Sequence, residues 1–214
     1  MKMLLDLQKQ LNETKMDNWI FDLDGTLVNL RTYEEIYPLV IDTVLALKKI
    51  DIHTLDELAL ASKVYKNSRQ RWDTGDLCRE FGLLEIYYSI LEGFIRENNI
   101  LTNNALEILN LLKERGARIG IASNSMKRTI ETYLEMYSLG SKIDFICSAV
   151  ETGVSKNKVG FWEHLIRRFD INPMKSTVIG DNPLDDFEVP KSVGFNALLT
   201  KQNSLSDVYL RLLL

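Results

Sequence analysis

The chain has 214 residues, 45% of them hydrophobic and 26% charged, which suits one globular domain or a core domain with a smaller insertion and excludes a disordered chain. Its 26 basic and 30 acidic residues give a net charge of −4, which argues against the broad basic face that nucleic-acid binding needs. No apolar run approaches the roughly 20 residues of a membrane span and the first segment lacks a signal-peptide core, so a cytoplasmic protein with no membrane partner is expected.

Leu4, Leu7 and Leu11 place an apolar side on a helix over Met3 to Met16. Trp19-Ile20-Phe21 predicts a short buried strand that stops at Asp22-Leu23-Asp24-Gly25-Thr26. From Tyr33 to Asn98 the pattern is helical, with Ile36, Val40, Val44 and Leu47 at helical spacing. Thr54-Leu55-Asp56-Glu57 reads as a capping box, Thr74-Gly75-Asp76 as a break and restart, and Leu84 to Arg96 as a further helix. No strand is expected in this stretch.

After Ile100 the texture changes to alternation. A helix from Asn104 to Arg115 closes at Gly116, and strand Arg118 to Ala122 runs into Ser123-Asn124-Ser125. A helix through Ile130 and Leu134, strand Phe145 to Cys147 and helix Val159 to Phe169 follow. Strand Thr177 to Gly180 ends at Asp181, a helix from Phe187 to Val193 ends at Gly194, and Ala197 to Leu199 is the last strand. This alternation predicts an α/β fold with a parallel sheet covered on both faces. The expected division is a core of residues 1–29 and 100–214 with an all-helical insertion, 30–99. Two cysteines, Cys78 and Cys147, make no disulfide framework, and with only His53 and His164 beside them they make no zinc motif; the histidines are expected to be structural or surface residues and the cysteines small packed ones.

Four strand ends carry chemistry-bearing residues. Asp22 and Asp24 can act as nucleophile or metal ligand and as general acid/base, against the alternative of an ordinary turn. Ser123 and Asn124 offer a hydroxyl and an amide to phosphate oxygens, or else cap the next helix. Lys156 can offset phosphoryl charge, with Lys158 a rival and a solvated lysine the bland alternative. Gly180-Asp181 with Asp185 and Asp186 supplies hard oxygen ligands for Mg²⁺, or an acidic helix N-terminus. No Walker-type or dinucleotide glycine motif occurs.

This set, in this order, resembles the haloacid dehalogenase superfamily of phosphohydrolases. DxDGT is Asp22 to Thr26, the second motif is Ser123, the third is Lys156 with its lead from Gly153, and the fourth is Gly180-Asp181 with a further acid. Counting back from Gly194, with Lys191 in the usual basic place, favours Asp186 over Asp185. Asn157 stands where the family commonly has proline, and Pro190 where it has a small helix former.

The resemblance covers Asn18 to about Leu30 and about Ile100 to Leu199. It implies a Rossmann-like core, Asp22 as nucleophile, Asp24 as acid/base, and Lys156 offsetting the Asp22 charge. Thr26, Ser123, Asn124, Lys156 and Arg31 would bind the substrate, with Thr26 also supporting the loop. Mg²⁺ would be held by Asp22, the Asp24 carbonyl, Asp181 and Asp186. The helical insertion would be a cap that selects the leaving group. Lys66, Arg69, Arg71 and Trp72 form either a substrate clamp or a solvated face with one packed tryptophan. The expected function is Mg²⁺-dependent hydrolysis of a small-molecule phosphate ester by a monomer or homodimer. A sugar-phosphate mutase and a non-catalytic binding module are the alternatives; dehalogenation leaves Asp24 without a task.

Overall fold

The computed structural model describes residues 18–66 and 70–213, so the expected helix over Met3 to Met16 and the side chain of Arg69 lie outside the described residues. In chain order the main elements are β1 (Asn18–Phe21), α1 (Arg31–Lys48), α2 (Ile52–Ala61), α3 (Thr74–Glu80), α4 (Leu84–Glu97), α5 (Ala105–Glu114), β2 (Arg118–Ser123), α6 (Lys127–Met136), β3 (Phe145–Ser148), α7 (Ala149–Thr152), α8 (Val159–Phe169), β4 (Ser176–Gly180), α9 (Val189–Ser192), β5 (Asn196–Leu199) and α10 (Ser206–Leu213). They form two compact units, residues 18–29 with 101–213, and Leu30–Ile100.

The first unit is built on a five-stranded sheet in the order β3-β2-β1-β4-β5, with every neighbouring pair parallel. Ile20 of β1 sits opposite Gly120 of β2 and Val178 of β4. A strand covered on both faces must be apolar throughout, and Ile20 and Phe21 are fully buried accordingly. Helix α8 closes one face with Phe161, Trp162 and Leu165, which pack with Ile20, Ala122 and Val178. Each such side chain contributes about 1.5–3 kcal/mol by leaving water. Because the chain builds outward from β1 to β3 and then returns to β4, the strand order reverses between β1 and β4. Open α/β sheets place ligands beyond the carboxyl ends of the strands at that reversal.

The helix expected over Phe187 to Val193 begins earlier and is not α-helical at its start. Asn182 caps it through Oδ1, which accepts from Leu184 N and Asp185 N, and Pro183 occupies the first turn. Residues Pro183–Glu188 form a π-helical turn, with Val189 N reaching back to Leu184 O, before α9 continues. Pro190 has no N–H to donate into this turn, and the wider coil absorbs one extra residue between Asp181 and α9.

The second unit is helical. Helix α1 buries Ile36, Val40 and Val44 and packs on α3 and α4. Pro38 inside it withholds the donor that the Glu34 carbonyl would otherwise meet. The capping box expected at Thr54 is displaced: Asp51 is the cap, and its carboxylate accepts from Thr54 N at 2.8 Å. Asp51 is extended (ψ 175°), the conformation a cap residue needs, whereas Thr54 already lies in the first turn. No helix among the described residues is long and apolar enough to cross a membrane.

Candidate active site

The loop after β1 is held by backbone bonds. Asp22 N donates to Ile179 O at 2.8 Å, extending the β1–β4 pairing one step beyond the strand. Leu27 N and Val28 N both reach Leu23 O, and Gly25 N reaches Val28 O, which turns the chain sharply between Asp22 and Val28. Gly25 has φ +88°, and a Cβ there would stand 2.7 Å from Asp181 Oδ2. Only glycine suits both constraints. Thr26 is fully buried and its hydroxyl has no hydrogen-bond partner. Its hydroxyl lies enclosed within the turn.

Lys156 enters from the loop before α8 and ends between two carboxylates, with Nζ 2.5 Å from Asp22 Oδ1 and 2.6 Å from Asp186 Oδ1. It is buried, whereas its rival Lys158 is exposed. Its backbone is held on both sides: Lys156 N donates to Asn124 Oδ1 at 3.0 Å, and Trp162 Nε1 donates to Lys156 O at 2.9 Å. Burial works to lower the lysine pKa, but Asp22 and Asp186 outweigh it and raise it. Burial also pushes Asp22 up to about 8; Lys156 opposes this, while Asp186 and Asp24 add to it.

The loop after β4 completes the cluster. Asp22, Asp181 and Asp186 bring carboxylate oxygens within 4.8 Å of one another. Burial raises the Asp181 pKa, with the bond from Gln202 opposing and Asp186 adding. Fully ionised, three acids against one ammonium leave two negative charges in excess, and every donor is a hard oxygen. This donor set fits a magnesium ion. Asp186 Oδ2 also accepts from Asn182 N at 3.0 Å, and a Cβ on Gly180 would overlap the Asp186 carboxylate. Asp185 stands apart, accepting from Asn124 Nδ2 at 2.8 Å.

Beside the loop after β1, the end of β2 supplies three polar residues. Ser123 is buried, and its Oγ accepts from Ser125 N at 3.0 Å. Asn124 ties three loops together, since its Oδ1 accepts from Lys156 N and Ser155 Oγ and its Nδ2 donates to Asp185. Its amide is thus engaged by the protein, where the sequence suggests a donor to substrate. Ser125 Oγ donates to Asp24 Oδ2 at 2.6 Å, so the Asp24 carboxylate faces β2 while those of Asp22, Asp181 and Asp186 converge. None of the three caps α6, whose cap position is Met126 without a side-chain bond.

Sequence reasoning passes over Ser125 as a partner of Asp24, Trp162 and Gln202, whose Nε2 donates to Asp181 Oδ2 at 3.2 Å. Asn203 N, next to it, donates to Gly25 O at 2.6 Å, so the turn after β5 braces both the loop after β1 and Asp181. The one local sign is their position just past a strand end.

In the second unit Arg31 opens α1 and pairs with Glu35 at 3.1 Å and Asn98 at 3.4 Å. Lys66 is engaged by Asp56 at 2.5 Å and lies 4.1 Å from the Trp72 ring centroid, while Arg71 stacks on Tyr37. Trp72 is buried, which favours the packed-tryptophan reading of this patch. Burial pushes the Cys78 thiol up to about 11 and the Cys147 thiol up to about 12, so neither is a ready nucleophile. A groove of about 920 Å³ along β3, lined by Glu131, Cys147, His164 and Arg168 among others, contains none of the reacting groups described above.

Comparison with known proteins agrees with this geometry. Residues 16–194 match the family described as hydrolase, haloacid dehalogenase-like hydrolase. A glyceraldehyde 3-phosphate phosphatase from Methanothermobacter thermautotrophicus is 28% identical over 98 residues, 45% of this chain and 42% of that protein. The chain spans about two fifths of the length of the curated relatives it matches. Among solved structures, a HAD phosphatase from Thermococcus onnurineus superposes with a TM-score of 0.70 at 19% identity, covering 92% of this chain and 98% of the other. The magnesium-bound HAD-hydrolase YfnB from Bacillus subtilis superposes with a TM-score of 0.63 at 14% identity, covering 94% and 100%.

Proposed function

The chain belongs to the haloacid dehalogenase-like hydrolases, and from that premise we propose that it is a magnesium-dependent phosphatase hydrolysing a small-molecule phosphomonoester through an aspartyl-phosphate. The observation that carries this reading is the buried Asp22 carboxylate, offset by Lys156 at 2.5 Å, with Asp24 two residues further on in the same loop. The archaeal relative named as a phosphatase and the magnesium-bound neighbour support it.

In this mechanism an Asp22 oxygen attacks phosphorus and the bond to the leaving oxygen breaks. Asp24 gives that oxygen its proton and is left as a carboxylate. It then takes a proton from water, whose oxygen attacks phosphorus; the bond to Asp22 breaks and inorganic phosphate leaves. Ser123 and Lys156 bind the phosphoryl oxygens, and Lys156 offsets the charge of the nucleophile before attack. Asp22, Asp181, Asp186 and the Asp24 carbonyl would hold magnesium, which when bound supplies the positive charge that lets carboxylate and phosphate approach. In the same reading the helical unit is the cap, and Arg31 is its candidate for substrate recognition.

The test is phosphate release from p-nitrophenyl phosphate, with magnesium and with chelator, for wild type and Asp22→Asn. Metal-dependent turnover lost on substitution is expected. Turnover that persists in Asp22→Asn overturns the assignment.

A further inference from the structure

The proposed reaction asks two opposite things of Asp24, to give a proton and later to take one. A carboxyl free to rotate would present the wrong oxygen for part of the time. Ser125 restrains such rotation, because its hydroxyl donates to Asp24 Oδ2 at 2.6 Å across 101 residues of chain.

Ser125 is itself braced. Its N–H donates to Ser123 Oγ at 3.0 Å, and its carbonyl accepts from Ser148 Oγ at 2.7 Å. Ser123 and Ser148 end neighbouring strands, face each other in the β2–β3 register, and are each 1% exposed. Two buried serines therefore fix the backbone of a third, whose hydroxyl reaches the acid/base. Capping does not account for the arrangement, since α6 takes no side-chain cap.

We propose that Ser125 is a positioning residue for the general acid of this enzyme. It occupies Oδ2, so that Oδ1 carries the proton destined for the leaving oxygen. As the phosphorus–oxygen bond breaks, that proton passes from Oδ1 to the leaving oxygen. The serine keeps its own hydrogen and donates to the carboxylate that remains. The inference rests on the phosphatase reading above and adds to it a residue outside the four motifs.

A positioning role for the acid has a signature that a merely structural role lacks. kcat/KM covers the steps up to transfer of the phosphoryl group to Asp22. Phenolate needs a proton as it leaves, and p-nitrophenolate needs it far less. The experiment compares kcat/KM for phenyl phosphate and p-nitrophenyl phosphate in wild type, Ser125→Ala and Ser125→Thr at saturating magnesium. Ser125→Ala is expected to lose about tenfold on phenyl phosphate and under about twofold on p-nitrophenyl phosphate. Ser125→Thr, which keeps the hydroxyl, is expected to retain both. Equal losses on the two esters, or no loss on either, overturn the proposal. Should Ser125→Ala fail to fold by circular dichroism, Ser148→Ala, which removes the brace alone, is expected to show the same skew between esters. Wild type that releases no phosphate sinks the phosphatase reading and this inference with it. Wild type that turns over, with activity lost in Asp22→Asn and no skew in the serine variants, sinks the inference alone.

Discussion

The Lys156 ammonium and the Asp186 carboxylate stand 2.6 Å apart, and neither side chain reaches solvent. The same ammonium lies 2.5 Å from Asp22, so one buried cation serves two buried carboxyl groups. Removing one member of a buried ionic group leaves an uncompensated charge and typically costs about 3–5 kcal/mol. Lys156→Met keeps the volume and removes the cation, and it is expected to destabilise the fold by about that amount in chelator. Asp186→Asn is expected to cost less, because Lys156 still faces Asp22. Urea denaturation of both variants checks the order, and a Lys156→Met protein as stable as wild type would contradict it.

Stability should also depend on pH through Asp22. Its pKa is raised from an ordinary 3.8 to about 8, by burial first, against the pull of Lys156. Between those values the folded chain holds more protons than the unfolded chain, so stability falls as pH rises across the window. In chelator, wild type is expected to lose thermal stability from about pH 5 to about pH 8. Asp22→Asn has no proton to lose there and should flatten the slope while abolishing turnover. Magnesium, which competes with the proton for the carboxylate, should flatten it in wild type. Melting curves in both buffers decide the matter; an identical slope in Asp22→Asn removes Asp22 as the source.

All five strands are legible as short apolar runs, and each expected strand falls one residue short of its structural bounds. Strands β1 to β4 are largely buried and cannot hide their composition, whereas β5, partly exposed at the sheet edge, shows only a short apolar run. Asp22 and Asp181 are legible for a related reason, since charged residues directly after such runs stand out, whereas Lys156 and Asp186, eight and six residues past their strands, are legible from the order of the motifs. Ser125 and Gln202 are not, because what matters about them is a partner distant in the chain. Asn124 shows the intermediate case: its position is legible, but whether its amide meets substrate or protein depends on where the Lys156 and Asp185 loops arrive. The π-helical turn escapes for lack of any periodicity, since its cause is Asn182 and Pro183 at one end and Pro190 at the other.

Two glycines with positive φ separate backbone strain from crowding at the site. Gly25 (φ +88°) would direct a Cβ at Asp181, whereas at Gly82 (φ +68°) a Cβ meets nothing within 4 Å. Gly82→Ala is expected to cost about 1–2 kcal/mol, the penalty of a left-handed residue, without loss of turnover. Gly25→Ala carries the same backbone penalty and in addition displaces a carboxylate of the cation site. It should therefore lose most metal-dependent phosphate release at a concentration of magnesium that saturates wild type. Melting temperature and turnover measured on both variants test this, and full turnover in Gly25→Ala would show that Asp181 need not stand where it does.

Gln202 offers the mildest probe of the same carboxylate. Its amide donates to Asp181 Oδ2 at 3.2 Å from an exposed turn, so its removal opens no core cavity. That turn is fixed independently by Asn203 N on Gly25 O and by Thr200 N on Gly180 O at 2.8 Å, and it should survive the substitution. Groups that orient a metal-binding carboxylate contribute about 10–100-fold to affinity, and this bond, long and exposed, belongs at the lower end. Gln202→Ala is expected to weaken magnesium binding about tenfold by calorimetric titration, with the melting temperature in chelator unchanged. Magnesium affinity equal to wild type would mean that Asp181 is held by the loop after β1 and not by the turn after β5.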